Sequence, residues 1–130
     1  MSYQEINTAL LKLTGGMLYI SESDYELNVL DWGAINKAAT AKKISETAKT
    51  DEITEKDAAT FFKKTIDALD PGDDLAAGLA KQYKELFAYL QATFKEISVF
   101  RAGDTQVHIF IVCYMADGYC FAIHTISVET

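Results

Sequence analysis

Two apolar stretches near the end of the chain decide the fold: VHIFIVCYM at Val107–Met115 and YCFAIHTISV at Tyr119–Val128, joined by Ala-Asp-Gly. Read with the two-residue period of a strand, both faces of the first stretch are mainly apolar, which is typical of a strand covered on both sides. Asp-Gly between such stretches indicates a tight hairpin turn. The sequence therefore predicts a long antiparallel hairpin at the centre of a layered domain, with the last residues held by its second strand.

The first quarter of the chain predicts one helix and two short strands. Ser2 and Glu5 form a capping box ahead of an apolar helical stripe. Residues 17–20 and 27–33 have the pattern of strands, and the polar segment 21–25 between them is expected to be a loop.

The middle of the chain predicts three helices. The first covers residues 34–50, the second follows the capping pattern Thr54-x-x-Asp57, and the third carries apolar residues at spacings of three and four. The core positions expected on the first and third helices are Ala38, Ala41, Ile44, Leu75, Leu79, Tyr83, Leu86, Phe87, Leu90 and Phe94.

A strand at 97–100 leads from the long helix into the hairpin and completes the order α-β-β-α-α-α-β-β-β. Helices at the start and in the middle of the chain are expected to cover both faces of the sheet. The prediction is a single α+β domain, 1–130, built as a three-layer α/β/α sandwich. Its central sheet is mainly antiparallel and ends in a three-stranded meander.

The charge of the chain limits its partners. The 130 residues carry a formal net charge of −7, which disfavours direct binding to nucleic acid or to an anionic membrane and favours a basic protein surface. There is no apolar run long enough to span a membrane, and the N-terminus lacks the basic start of a signal peptide. A cytoplasmic protein without membrane association is the expectation.

The residues that most often carry catalysis show no catalytic spacing. His108 and His124, the only histidines, lie inside apolar strands, where core or edge histidines are more common than metal ligands. Depending on the register, they are diagonal neighbours on one face. Cys113 and Cys120 are not directly opposite in the hairpin, so buried free thiols are expected instead of a disulfide. Neither an enzyme nor a cofactor is predicted.

Acidic residues are concentrated in three places: residues 22–26, residues 67–74, and the end of the chain with Glu129. Solubility explains each cluster taken singly, and Asp73 or Asp74 also suits the N-terminus of the long helix. Together the clusters are compatible with one negative binding face.

The chain resembles the nuclease A inhibitor family, whose members are small acidic proteins that block a sugar-non-specific, metal-dependent endonuclease. The similarity runs from about Ala9 to the end of the chain and is poor over residues 34–56. It is carried by the order and spacing of LYISESDY at 18–25, Phe61-Phe62, Tyr83, VFRAG at 99–103, IFIV at 109–112 and the final Val128-Glu129-Thr130. The resemblance implies a fold like that of pathogenesis-related-1 proteins.

The resemblance also implies a contact surface for a basic, metal-dependent, non-specific nuclease. The family's acidic loop residue falls on Glu22, a second acid falls on Asp70, and the C-terminal threonine that approaches the nuclease's Mg²⁺ falls on Thr130. That metal belongs to the partner nuclease, and Thr130 is expected to contact it only in the complex. The partner-binding residues predicted in this way are Ser21, Glu22, Ser23, Asp24, Asp70, Pro71, Glu129 and Thr130.

One position departs from the family pattern. Pro71 stands where a family member has a tryptophan just after the acid. Since aromatic residues often anchor interfaces, an acidic interaction module on the same fold, with a target other than a nuclease, is the alternative.

Overall fold

Strands β6 (Gln106–Tyr114) and β7 (Tyr119–Val128) form the predicted hairpin. In the computed structural model, which describes residues 2–129, the two strands are antiparallel and fully paired along their length. The Gly118 N–H donates to the Met115 carbonyl oxygen (2.9 Å) and closes the turn, and Gly118 has a φ of 90°. Residues with a side chain rarely adopt this backbone conformation, so glycine at this position lets the chain reverse without strain.

The hairpin lies inside a five-stranded antiparallel sheet of order β3-β7-β6-β5-β4. Strand β3 spans Asn28–Ala34, β4 spans Ile53–Asp57 and β5 spans Glu96–Ala102. A separate two-stranded sheet pairs β1 (Leu18–Ile20) with β2 (Asp24–Glu26). The predicted antiparallel sheet and its final meander of β5, β6 and β7 are confirmed.

Four helices are present in residues 2–129, and a side-chain oxygen caps the N-terminus of each. Their bounds are Tyr3–Thr14 (α1), Lys37–Ala48 (α2), Ala58–Asp67 (α3) and Asp74–Thr93 (α4). The predicted capping box of Ser2 and Glu5 is confirmed. Over the same residues, none of the helices has both the length and the apolar character that crossing a bilayer requires.

The larger core lies between one face of the sheet and helices α1, α3 and α4. Alternate residues of β6 from Val107 to Cys113 face it and pack with Leu10 of α1, Phe62 of α3 and Leu86 of α4. All of these side chains are at most 2% exposed. Each large apolar side chain buried in this way stabilises the fold by about 1.5–3 kcal/mol.

The smaller core lies on the opposite face, under α2. Ile44 is fully buried there and packs with Phe110 and Val112 of the central strand. The hydroxyls of Thr40 and Tyr114 form a buried hydrogen bond of 2.6 Å, which satisfies two polar groups inside this layer. Both faces of the hairpin are therefore covered by helices, as the sequence predicts. The more specific likeness to pathogenesis-related-1 proteins stays a prediction.

Two strands are missing from the sequence prediction. Strand β4 is charged and sits at an edge of the sheet, where it pairs only with β5; a short charged strand is a common way to protect such an edge, and it hides the apolar pattern. The helix start at Thr54 was wrong because Thr54 lies in β4 and the cap of α3 is Asp57. The expected loop 21–25 is also partly wrong, since Asp24 and Tyr25 belong to β2.

Three expected core positions are exposed. Ala38 and Ala41 face solvent, and α2 buries Thr40 and Ile44 instead. Leu75 is 87% exposed because it lies in the first turn of α4, one turn before the buried stripe begins. The predicted helical periodicity is therefore right. The predicted buried face of α2 is wrong, and the predicted buried stripe of α4 begins one turn too early.

The two cysteines are buried and free, as predicted. Cys113 lies opposite Phe121 in the hairpin and faces the larger core, whereas Cys120 lies opposite Tyr114 and faces the smaller one. Burial raises the pKa of both thiols, that of Cys120 to about 12. The thiols therefore remain protonated and pack as apolar groups.

The two histidines are diagonal neighbours on the sheet. His108 Nδ1 lies 2.9 Å from His124 Nε2, within hydrogen-bond distance, and the rings stack with centroids 5.1 Å apart. Burial, and then repulsion from a charged His108, lowers the pKa of His124 to about 4. In this hydrogen bond, one ring nitrogen donates and the other accepts. Only a neutral imidazole has a nitrogen that can accept, so at least one of the two rings must be neutral.

A substitution of His124 should change how stability depends on pH. The folded-state pKa of about 4 lies below the ordinary 6.5, so the stabilising contribution is present above pH 6.5 and is lost as pH falls towards 4. Between these values the free energy of unfolding of the parent should fall by about 1–2 kcal/mol more than that of His124→Phe, after allowance for partial exposure. Urea unfolding at a series of pH values measures this.

Phenylalanine is chosen because it keeps the stacking of position 124 on Phe110, whose centroid lies 4.7 Å away. The same carboxylates titrate in both proteins, so the difference between the two stability curves reports the titration of His124. Parallel stability curves for the two proteins would show that the pair does not couple to folding.

Candidate functional site

The loop at the tip of the β1–β2 hairpin is fastened to the end of β7. The Ser21 hydroxyl donates to the Ser23 carbonyl oxygen (2.6 Å) and accepts the backbone N–H of Val128 (3.0 Å). These bonds fix the turn and attach it to the last residues of the sheet. The exposed acids Glu22 and Asp24 therefore lie beside the end of the chain.

Glu129 is held at the other side of this junction. Its two carboxylate oxygens each lie 2.5 Å from Nη2 of Arg101, and the Ser127 hydroxyl donates to one of them at 2.8 Å. The backbone N–H of Glu129 donates to the Thr105 carbonyl oxygen at 2.7 Å. Both the side chain and the backbone of Glu129 are thus fixed to neighbouring structure.

Electrostatics keep the Glu129 side chain charged. Partial burial raises the pKa of this carboxyl, but the hydrogen bond from Ser127 and the hydrogen bond and charge of Arg101 outweigh it, and the net result is a pKa below 4.5. The group is therefore ionised at neutral pH, and the Arg101 guanidinium offsets its charge.

Asp70 and Pro71 lie on the exposed loop between α3 and α4. Asp70 accepts a hydrogen bond from the Gly72 N–H (2.8 Å), which shapes this turn. The neighbouring acid Asp73 caps α4 by accepting from the N–H of Leu75 at 2.9 Å, so it serves the helix.

A cleft lies between β1 and the α3–α4 pair, and the charged residues that line it are Lys64 and Arg101. Ile20, next to the Ser21–Ser23 turn, lines one wall, and Leu69, next to Asp70, lines another. Tyr83 lies at the back of the cleft and donates from its hydroxyl to the Leu18 carbonyl oxygen at 2.9 Å. Each acidic loop is thus adjacent in sequence to a residue that lines this cleft, whereas the predicted acids themselves are not among its lining residues.

Thr130, the residue expected to approach the partner's metal ion, lies outside the described residues. Its neighbour Glu129 is described and lies at the junction with the Ser21–Ser23 turn. The role of Thr130 stays a prediction.

Comparison with known proteins identifies the relatives of the chain. The profile of a family described as nuclease A inhibitor-like protein matches residues 4–130. The chain belongs to this family. A search of curated proteins found no match. Membership of the nuclease A inhibitor-like family indicates a nuclease inhibitor role, a nuclease as partner, and a protein without catalytic activity of its own.

In this nuclease A inhibitor-like protein, two further residues, Arg101 and Ile20, lie next to the predicted contact residues, and the sequence predicts no role for either. Arg101 is quoted in the family resemblance but has no predicted role, although it pairs with Glu129. Ile20 is 51% exposed and offers apolar area between the acids. For Ile20, the only signal in the sequence is the Leu-Tyr-Ile alternation of β1, which places Ile20 and Leu18 on one face. The Arg101–Glu129 ion pair has no local signal, because its partners are 28 residues apart.

The remaining candidates for chemistry do not assemble into a metal site. Within residues 2–129, no three side chains of the His, Cys, Asp and Glu types are close enough together to hold a metal ion. The histidine pair lies on the sheet near Asp24 and Glu26, which line a shallow depression with His124. The histidine pair therefore lies next to the acidic residues of β2 but does not form a metal site with them.

Removal of the Arg101 charge should loosen the end of the chain. In Arg101→Met, Glu129 loses its ion pair, so the backbone N–H groups of Val128 and Glu129 should exchange faster with solvent. The free energy of unfolding should fall by only about 1 kcal/mol because the pair is partly exposed. Hydrogen exchange followed by NMR measures the local effect, and urea unfolding measures the global one.

The matched control is Lys37→Met, which removes the exposed Lys37–Glu96 pair of 2.6 Å on another part of the sheet. It should leave exchange at Val128 and Glu129 unchanged. If exchange at Glu129 is equally slow in Arg101→Met and the parent, the ion pair does not hold the chain end.

Proposed function

We propose that this nuclease A inhibitor-like protein binds and blocks the active site of a metal-dependent, sugar-non-specific endonuclease. The observation that carries the proposal is the family match over residues 4–130. It is supported by the attachment of the acidic turn to the chain end through Ser21 and Val128. The proposed contact residues are Ser21, Glu22, Ser23, Asp24, Asp70, Pro71, Glu129 and Thr130.

Charge complementarity supplies the recognition. A nuclease that grips phosphates must present a basic cleft, and a protein with a net charge of −7 is attracted to it. Glu22 and Asp24 carry part of that charge at the turn that is attached to the end of β7, where Arg101 offsets the charge of Glu129. An acidic surface of this kind accelerates association and orients the inhibitor as it approaches.

In the proposed complex, Thr130 enters the active site and approaches the nuclease's Mg²⁺. This ion prefers oxygen ligands and retains several of its waters. A threonine presents a hydroxyl oxygen suited to that environment, and Glu129 before it is already fixed by Arg101 and Ser127. Because the approach to Thr130 is ordered before binding, little conformational entropy is lost when the complex forms.

Apolar anchors are available near the acids even though Pro71 replaces the tryptophan expected by resemblance. Ile20 is 51% exposed beside the Ser21–Ser23 turn, and Leu75 is 87% exposed in the first turn of α4, after Asp73 and Asp74. Interfaces draw most of their affinity from a few desolvated side chains surrounded by polar groups. Ile20 and Leu75 are the side chains proposed for that role.

A target other than a nuclease is the second candidate, favoured by Pro71 alone. The same acidic, partly apolar surface then binds a different basic protein. The two candidates differ in what they predict for a digestion assay.

The parent protein should slow plasmid digestion by a metal-dependent non-specific nuclease at near-stoichiometric ratios, and a variant extended by a few residues after Thr130 should not. The extension places bulk where the proposal puts the nuclease's metal site, so the affinity should fall by at least about a hundredfold. Titration of each protein into the assay measures inhibition.

The control is the same short extension placed at the N-terminus, which should leave inhibition intact. Circular dichroism and thermal unfolding establish that both extended proteins are folded. Equal inhibition by the parent and the C-terminally extended protein would remove Thr130 from the site, and no inhibition by the parent of any nuclease of this class from the same source would favour the alternative target.

Reversal of charge at Glu22 should weaken binding because attraction to the basic cleft becomes repulsion. For Glu22→Lys the association rate should fall by about tenfold or more at low salt, and the difference should shrink as salt rises. Surface plasmon resonance at several salt concentrations measures the rate.

The matched control is Glu46→Lys, the same reversal on α2, which covers the other face of the sheet. It alters the net charge equally and should have a much smaller effect. Equal losses in the two variants would show that overall charge, and not the Ser21–Ser23 turn, governs binding.

A further inference from the structure

A cleft with basic walls lies between α3 and the β4 edge of the sheet. It is lined by Lys56, Thr60, Phe61, Lys64 and Arg101. Lys56 is opposite Val99 in the β4–β5 pair, which places it diagonal to Arg101 on the same face. Thr60 and Lys64 lie one helical turn apart on α3, so their side chains face the same way.

Within residues 2–129, the two lysines of the cleft belong to the seven of eleven lysines that form no ion pair. Lys37, Lys42, Lys63 and Lys81 each form an ion pair with a carboxylate. Among residues 2–129, Lys56 and Lys64 form none. Both are exposed, and neither amine is needed to cover the core.

Two acids lie next to the cleft, and each is bound to one of the residues that line it. Glu129 pairs with Nη2 of Arg101. Asp57 caps α3 and accepts from both the N–H and the hydroxyl of Thr60 at 3.0 Å. Three cations against these two committed carboxylates leave local positive charge in a chain whose net charge is −7.

We propose that this cleft binds a phosphate group, either free or at the end of a phosphate monoester. Lys56 and Lys64 approach the anion from the sheet and from the helix, and Arg101 adds N–H donors at the boundary with the chain end. Phosphate oxygens accept several charge-assisted hydrogen bonds at once, which suits two amines and a guanidinium on converging walls. The site goes beyond the proposed inhibition, which uses the acidic surface.

The test is a titration of the ¹⁵N-labelled protein with inorganic phosphate at constant ionic strength, kept by chloride. The expected result is a set of saturable shifts confined to the amides of residues 56–64 and Arg101. The double variant Lys56→Gln, Lys64→Gln should bind at least about tenfold more weakly. Both changes are on exposed side chains, so the fold should be retained, as the unaltered parts of the spectrum will show.

The matched control is Lys63→Gln, which alters the adjacent lysine of α3, the one paired with Asp67 at 2.8 Å. It should bind phosphate like the parent. Shifts that do not saturate, or equal binding by the double variant, would overturn the proposal whatever the outcome of the nuclease assays.

A second titration with a nucleoside 5′-monophosphate distinguishes the two sources of phosphate. Tighter binding than inorganic phosphate, with shifts extending beyond residues 56–64 to Tyr19, which stacks on Phe61, would assign the site to a nucleotide end. Equal binding would assign it to free phosphate. Failure of both ligands to bind would refute the site.

Discussion

The structure depends on one constraint: the β6–β7 hairpin is apolar on both faces and must be covered on both. Ile109 and Ile111 face one core, whereas Phe110 and Val112 face the other. A strand of this kind is stable only inside a layered fold, so helices have to be present on both sides of the sheet. Strand β3 pairs with β7 only as far as His124, so the final residues of β7 are held by β6, and Ser127 is only 3% exposed.

That constraint carries over to the candidate site. The end of β7 cannot move independently of the central hairpin, and the Ser21–Ser23 turn is bonded to it through the Val128 N–H. Two segments far apart in sequence are thereby fixed beside each other, and each contributes acids. A rigid support of this kind reduces the entropy that would be lost when a partner binds at these segments.

The sequence predicts what depends on local pattern and misses what depends on distant pairing. The hairpin, the capping box and the stripe of α4 are local, because a turn, a cap or a helical face is determined by residues a few positions apart. Strand β4 was missed because its charged residues stabilise an edge that only the neighbouring β5 defines. The attachment of the Ser21–Ser23 turn to Val128 and the pairing of Arg101 with Glu129 join residues far apart in sequence, so they required the tertiary structure.

Arg101 stands between two surfaces of opposite charge. On one side it neutralises Glu129 at the acidic junction, and on the other it borders a cleft with Lys56 and Lys64. The residues best suited to chemistry are elsewhere and uncharged: burial raises the pKa of the Cys113 thiol and lowers that of His124 to about 4. Because these groups pack within the sheet, the exposed charges are left to carry recognition, which is what an inhibitor requires of its surface.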